Sequence, residues 1–537
     1  MASTERVPRT RPNIILILAD DMGFSDLGCF GSEIQTPNLD RLAAGGVRFT
    51  QMYNCARCCP SRASLLTGLY PHQAGVGHMV SDLGLPAYQG YLRDDCITIA
   101  EALRTTGYRT MLSGKWHCGG VYPRNDPSRW DVGDPKRPIP PDRGFDDWYG
   151  APAGAGSYFN PRPLFRSRTL VEPEGDDYYY YYTDAVSDEA VRMIGEAAAA
   201  NQPFFLHVAY TTPHWPLHAM EEDTARYEGK YRQGWDAVRT ARHEELKGMG
   251  LLAPRWEISP RDEEAPPWAE VALKDWQDRR MAVYAAQIDR MDQGIGRIMT
   301  KLCELGIEQD TLVVFISDNG GCAELLHEDG RQVDREWPTT RDGRPITFGN
   351  VPGLMPGDAT TYQSYDLPWA NVSNTPFCLY KHWVHEGGIS TPMIARWPKG
   401  ATEGGIVHAP AHIVDFMATF LDAAGVAYPR EYNGHAIQSL EGESFLPALR
   451  GEPWQRQRPI LWEHEGNCAV RDGRWKLVRK YPGGWELYDM VEDRTELNDL
   501  AEKNRPQVAR MAAVYDEWAQ RCGVLPWEET FARMRGK

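Results

Sequence analysis

Two apolar runs constrain the fold of this 537-residue chain more than any other feature: Asn13-Ile14-Ile15-Leu16-Ile17-Leu18-Ala19 and Thr311-Leu312-Val313-Val314-Phe315-Ile316-Ser317. Between their ends both are apolar at odd and even positions alike. A strand of that kind must be covered on both faces, which is the condition of a parallel sheet sandwiched by helices. Further strand-like runs at 108–113 and 203–210 alternate with helical patterns at 36–43, 98–106, 184–200 and 282–305. The alternation predicts an α/β fold: a large, mostly parallel sheet between two layers of helices.

The texture changes near residue 430. Short strand patterns at 459–464, 468–471 and 475–481 precede Glu486-Leu487-Tyr488-Asp489 and a helical stretch at 505–521. They predict a small antiparallel sheet with a covering helix, and so two domains, 1–428 and 429–537. Two long segments with little periodicity, 219–270 and 323–378, interrupt the larger domain. Segments of that length are usually functional, and both are expected to wall a pocket.

The net charge of −16 argues against a nucleic-acid partner and confines any anion site to a locally basic patch. No run approaches the ~18–20 apolar residues of a membrane span. Arg6, Arg9 and Arg11 ahead of the first apolar run imitate a secretory leader. The run is too short, however, and Asp20-Asp21 stands where small residues should mark cleavage. Eleven scattered cysteines form no disulfide framework and favour a reducing, cytoplasmic location.

The chemistry-bearing residues follow strand ends. Asp20-Asp21 closes the first strand and Asp318-Asn319 the late one, and in an open parallel sheet ligands gather beyond the carboxyl ends of strands. Either pair alone is a turn or a helix cap. Together they form an oxygen-rich cluster suited to a hard divalent cation such as Ca²⁺. Cys58-Cys59-Pro60-Ser61-Arg62-Ala63-Ser64-Leu65-Leu66-Thr67-Gly68 reads as a helix start. Cys58 is then at the positive helix end, where an anion is favoured, and Arg62 is one turn on, facing the same way.

That eleven-residue stretch resembles the signature of the type I sulfatases, in which the first cysteine is oxidised to formylglycine. The spacing assigns the position to Cys58, with Cys59 in the variable place. Lys115-Trp116-His117 after Gly114, Thr212-Pro213-His214-Trp215-Pro216, and Lys381 ahead of Glu386-Gly387-Gly388 match further elements of that family in order. The resemblance runs from about residue 12 to 425 and continues to Glu486-Leu487-Tyr488-Asp489, with a bacterial arylsulfatase flavour. Ser390 departs from it, because many members carry Arg there.

The resemblance implies an alkaline phosphatase-like fold and hydrolysis of an aryl sulfate or sulfated sugar through a sulfoenzyme intermediate. It also implies one Ca²⁺ held by Asp20, Asp21, Asp318, Asn319 and the group derived from Cys58, and maturation by a formylglycine-generating enzyme. Arg62, Lys115 and Lys381 would balance the charge of the sulfuryl oxygens, and Asp318 would help activate the nucleophile. His214 or Lys381 would protonate the leaving oxygen, and His117 would act as the base that releases sulfate. Two other readings stand beside this one: a phosphonate monoester or phosphodiester hydrolase of the same superfamily, and a non-catalytic anion-binding protein on the fold.

Overall fold

The structure is a computed structural model that describes residues 11–175, 179–333 and 336–536. Arg6 and Arg9, weighed above as part of a charged leader, lie outside the described residues. The large sheet has eleven strands. Five neighbours at its centre run parallel, in the order Thr311–Ser317, Asn13–Asp20, Phe204–Pro213, Arg109–Gly114 and Asp147–Gly150. On one side the antiparallel Ser390–Arg396 strand separates this group from Val47–Tyr53. On the other, two short antiparallel strands close the edge.

The two-sided apolar runs do what their composition requires. Ile15, Ile17, Val313 and Phe315 face one core, closed by the Tyr182–Ala199 and Lys274–Glu304 helices. Ile14, Leu16, Leu18, Leu312, Val314 and Ile316 face the other, closed by Cys58–Thr67, Ile99–Arg104 and Asp415–Ala424. Thr98 and Glu101 cap the second of these helices reciprocally, backbone to side chain. The Cys58–Thr67 helix is buried along its whole length. It stops at Gly68, whose φ of 69° admits the left-handed turn and whose missing Cβ leaves room for Met417 and Leu440.

Near the C-terminus, Ile460–His464, Asn467–Asp472, Trp475–Arg479 and Glu486–Asp489 form a four-stranded antiparallel meander, with the Arg505–Cys522 helix packed on it. A second helix, Trp527–Arg535, follows it.

Two elements differ from the sequence expectation. The 282–305 helix begins two turns earlier, at Lys274. Residues 219–270 are not an open pocket wall, because they carry the 14-residue Trp235–Gly248 helix. Its buried Arg242 pairs with Asp26 at 2.7 Å and Glu33 at 2.8 Å. The segment therefore braces the loop that follows Asp21 from behind. Residues 323–378 do contribute a wall, described below.

Candidate active site

Four adjacent parallel strands end at one place, and each delivers a side chain there. Asn13–Asp20 brings Asp20 and Asp21; Thr311–Ser317 brings Asp318 and Asn319; Arg109–Gly114 brings Lys115 and His117; Phe204–Pro213 brings His214. The Val47–Tyr53 strand leads into the helix that opens at Cys58, and the segment before Ser390–Arg396 brings Lys381. All nine residues are buried, and so is Arg62, one turn into the helix that Cys58 opens. Asp21 and His117 hold positive φ values of 64° and 55°. Such backbone strain in non-glycine residues is typical of functional sites.

Charges alternate tightly. Lys115 Nζ donates to Asp20 Oδ2 at 2.5 Å. Arg62 donates to Asp318 Oδ2 through Nε at 2.9 Å and lies 2.8 Å from it through a terminal nitrogen, which is also 3.5 Å from Asp20. Lys381 Nζ donates to Asp21 Oδ2 at 2.9 Å, and Asn319 Nδ2 donates to Asp21 Oδ1 at 2.7 Å. Two buried acceptors are nevertheless left without a donor among the described residues, Asp20 Oδ1 and Asn319 Oδ1. Burial without a partner is costly for such atoms. Both belong to the oxygen set expected to hold a hard cation, so the residues present fit that ion.

The local fields act in opposite directions on neighbouring groups. Burial, reinforced by Asp20, pushes the Asp318 carboxyl well above the usual range despite Arg62. Burial would raise Asp20 too, but Lys115 and Arg62 bring it below its ordinary value. The Cys58 thiol is held well below the usual thiol range, first by a hydrogen bond from Cys59 and, against burial, by the nearby His117 and Lys115. Burial lowers His117 to about 4, so its imidazole is neutral near pH 7. Burial also lowers His214, with Asp21 opposing. His214 Nδ1 bonds the Trp215 carbonyl at 2.7 Å, which leaves Nε2 facing Lys381 Nζ at 3.4 Å.

Further neighbours complete the site, of which Gly154, Arg57 and Glu324 carry no motif of their own in the sequence. His117 Nε2 lies 3.2 Å from the Sγ of Cys59, and Gly154 packs so close to the ring that a Cβ would sit 2.6 Å from it. Arg57, the residue before the helix, pairs with Glu324 at 3.0 Å, and Glu324 accepts from Trp215 Nε1 at 2.9 Å. Glu324 and Trp215 thus continue the site toward the 323–378 segment. There the Tyr362 ring meets Trp215, and a narrow cleft opens between Arg124, Asn160, Arg162, Glu336, Trp337 and Tyr362.

The family profile named Sulfatase matches residues 12–426, and a second profile, N-sulphoglucosamine sulphohydrolase C-terminal, matches 377–517. The chain belongs to the sulfatase family. It is 33% identical over 472 residues to an arylsulfatase of Klebsiella aerogenes, a match covering 84% of this chain and 94% of that one. To an uncharacterized sulfatase of Schizosaccharomyces pombe it is 31% identical over 540 residues, covering 93% and 92%. Among solved structures it is similar to Ps i-CgsB in complex with k-i-k-neocarrahexaose, with a TM-score of 0.65, 27% identity and coverage of 95% and 93%. This sulfatase is therefore a sulfuric ester hydrolase on an alkaline phosphatase-like α/β sandwich. Among the described residues no helix is long and apolar enough to cross a membrane.

The Ser390 departure has a physical setting. Ser390 Oγ donates to Glu386 Oε2 at 2.9 Å, and Arg494 donates to both, through Nε to Glu386 at 3.0 Å and through a terminal nitrogen to Ser390 at 3.2 Å. A guanidinium is present at this locus, but it arrives from beyond the C-terminal meander.

Proposed function

We propose that this sulfatase works through a formylglycine made from Cys58, with one Ca²⁺ held by Asp20, Asp21, Asp318, Asn319 and the Cys58-derived group. The observation that carries the reading is the position of Cys58. It opens a buried helix beside Lys115, His117 and Arg62, next to an oxygen cluster with two unpartnered acceptors. The aldehyde hydrate would supply a nucleophile toward sulfur, and the cation would supply positive charge beside it.

The remaining steps fall to this chain's own groups. Arg62, Lys115 and Lys381 are the buried cations that would face the sulfuryl oxygens, where preorganised charge counts most. Lys381 and His214 face each other at 3.4 Å and form the candidate proton source for the leaving oxygen. His117 is the candidate base for releasing sulfate, because burial leaves its imidazole unprotonated near neutral pH and so in the form that can accept a proton as the bond breaks. Asp318 would be ionised only with positive charge beside it, which ties its part in activating the nucleophile to Arg62 and the cation.

The substrate proposed is an aryl sulfate or a sulfated sugar, and the half-buried Trp215 next to His214 would offer an aromatic face to its ring. On this reading residues 1–428 form the catalytic domain and 429–537 the C-terminal subdomain. A formylglycine-generating enzyme is the maturation partner. A reducing compartment, the cytoplasm, suits a chain whose eleven cysteines form no disulfide.

Peptide mass spectrometry should find the thiol lost at Cys58 and retained at Cys55 and Cys59. Metal analysis should find one Ca²⁺ per chain, removed with loss of activity by a chelator and restored by Ca²⁺. Stoichiometric zinc at this oxygen cluster, or an unmodified Cys58 in fully active protein, contradicts the reading.

A further inference from the structure

A second cluster of ligating side chains lies outside the catalytic set. Its members come from three distant parts of the chain: His78 from the loop after the Pro71–Ala74 helix, His382 directly after Lys381, and His464 with Glu465 at the turn between the first two strands of the C-terminal meander. One ligand atom each from His382, His464 and Glu465 lies within 4.8 Å of the others. Glu465 is the hub. One oxygen is 2.7 Å from His78 Nε2, and the other is 2.9 Å from His382 Nδ1.

His464 is the anomaly. It is fully buried, yet neither ring nitrogen has a hydrogen-bond partner among the described residues, and its Nε2 stops 3.7 Å short of Glu465. A buried imidazole with two idle nitrogens loses hydration at both and gains nothing in return. Its ring is held in place by stacking on His78 and by the edge of His382. Burial keeps it neutral, the form that ligates metals. His382 and Glu465 hold positive φ values of 94° and 51°, so the backbone is strained at two of the three positions that aim side chains into the cluster.

We infer that His382, His464 and Glu465 form a second metal site, for a divalent transition metal of the zinc class, with His78 as the outer partner that orients Glu465. Two imidazoles and a carboxylate suit zinc and its neighbours, whereas the all-oxygen cluster beside Cys58 suits a hard cation. Three protein ligands leave a fourth position for water. Asn467 Nδ2, 3.4 Å from His382 Nε2, favours acceptance there and so puts the Nδ1 proton toward Glu465. The metal would displace that proton.

The site joins parts of the molecule that matter for catalysis. The His382 N–H donates to the Ala56 carbonyl at 2.8 Å, two residues before Cys58. A metal at this point would tie the entry to the Cys58 helix and the Lys381 segment to the C-terminal meander. Its expected role is to hold Lys381 in position, acting through the backbone.

Full-length protein saturated with Ca²⁺ is titrated with ZnCl₂ and, in parallel, with CoCl₂, both as wild type and as Cys58→Ala/Cys59→Ala, which removes the thiol cluster with His117 as a competing site. In the double variant one equivalent of Co²⁺ should bind and give the visible absorption of a four-coordinate ion. His382→Asn and Glu465→Gln, made in that background, should each weaken Zn²⁺ at least 30-fold, and His78→Ala about tenfold. Circular dichroism and melting without metal confirm that each variant is folded. Binding unchanged by His382→Asn and Glu465→Gln overturns the proposal, and so does the lack of any stoichiometric site at 100 µM metal in the double variant. A His382→Asn enzyme that binds metal normally but shows a raised KM would make the cluster a wall of the substrate site, which also overturns it. Apart from that KM, which is read with Cys58 intact, none of these readouts depends on formylglycine, so failure here leaves the proposed function untouched.

Discussion

Two buried charge clusters lie on either side of the 381–390 segment, built from the same residue types and tuned in opposite directions. In the active site Asp20, Asp21 and Asp318 face Arg62, Lys115 and Lys381. Between the large sheet and the C-terminal meander, Glu386 and Glu496 face Lys476 and Arg494. Glu386 accepts from Lys476, Arg494, Tyr53 and Ser390, and these partners hold its carboxyl down at about 2 against the pull of burial. Asp318, equally buried, is pushed up instead, and the neighbouring Asp20 keeps an oxygen with no donor. In the Glu386 cluster every carboxylate oxygen has a donor or a cation beside it, and the leftover atom is a donor, one terminal nitrogen of Arg494. In the active site the leftover atoms are acceptors, Asp20 Oδ1 and Asn319 Oδ1, which is the polarity that a bound cation would satisfy.

The sharpest test exchanges the readouts. Cys58→Ala should abolish turnover, by on the order of 10⁴-fold or more, while costing under about 2 kcal/mol in stability. Steady-state kinetics and urea unfolding on one preparation read both. Turnover within tenfold of wild type would remove Cys58 from the chemistry.

Glu386→Gln should do the reverse. Removing one partner from a buried ion cluster leaves Lys476 and Arg494 under-compensated, at a cost of about 3–5 kcal/mol. The rate per folded molecule should stay near wild type, because Glu386 contacts none of the catalytic groups named above. A large fall in kcat with unchanged unfolding midpoint would merge the two clusters into one functional unit.

The legible part of this molecule in its sequence was the part whose signal is local. Thr311–Ser317 is legible to the residue because a two-sided apolar run has only one economical fate. The helix start at Cys58, with Arg62 one turn on, is legible because Pro60 and four residues of spacing fix it, while the roles of the two residues rest on the family resemblance. The Trp235–Gly248 helix was hidden because its buried face includes Arg239, Arg242 and His243, which break apolar periodicity and are buried only because partners elsewhere accept their hydrogen bonds. Glu324 and Arg57 were missed for the same reason: their pairing spans 267 residues of chain. His78, His382 and His464 belong to no motif in the sequence, and only the fold brings their rings together.

Acid should separate the clusters by sign. The folded-state value of Glu386, about 2, lies below its ordinary 4.5, so folding favours its ionised form. That stabilisation is complete above about pH 4.5 and is lost as pH falls toward 2. It amounts to roughly 3 kcal/mol at ~1.4 kcal/mol per unit. Asp318, displaced upward, contributes the opposite slope: with no cation bound, stability falls as pH rises above its ordinary 3.8. Urea midpoints measured against pH should therefore show a flatter acid arm in Glu386→Gln than in wild type. An identical arm would mean that the Glu386 partners do not hold its proton off.

The smallest effect concerns His214 and distinguishes geometry from charge within the active site itself. The bond from Nδ1 to the Trp215 carbonyl fixes the neutral ring with its Nε2 lone pair toward Lys381, so one proton can be shared across 3.4 Å. Such a pair is useful only when the departing oxygen needs that proton. A nitrophenolate leaves unaided, whereas a sugar alkoxide does not. His214→Ala should therefore cost little on nitrophenyl sulfate and about 10²-fold on a sulfated sugar or an alkyl-like aryl sulfate, steepening the dependence of rate on leaving-group pKa. Rates across a leaving-group series read the slope directly. If His214 served only to neutralise Asp21, which lies 3.3 Å from its Nε2, the loss would be uniform across the series. A parallel shift of the whole line would thus reassign His214 from proton transfer to electrostatic support, and would leave Lys381 as the acid.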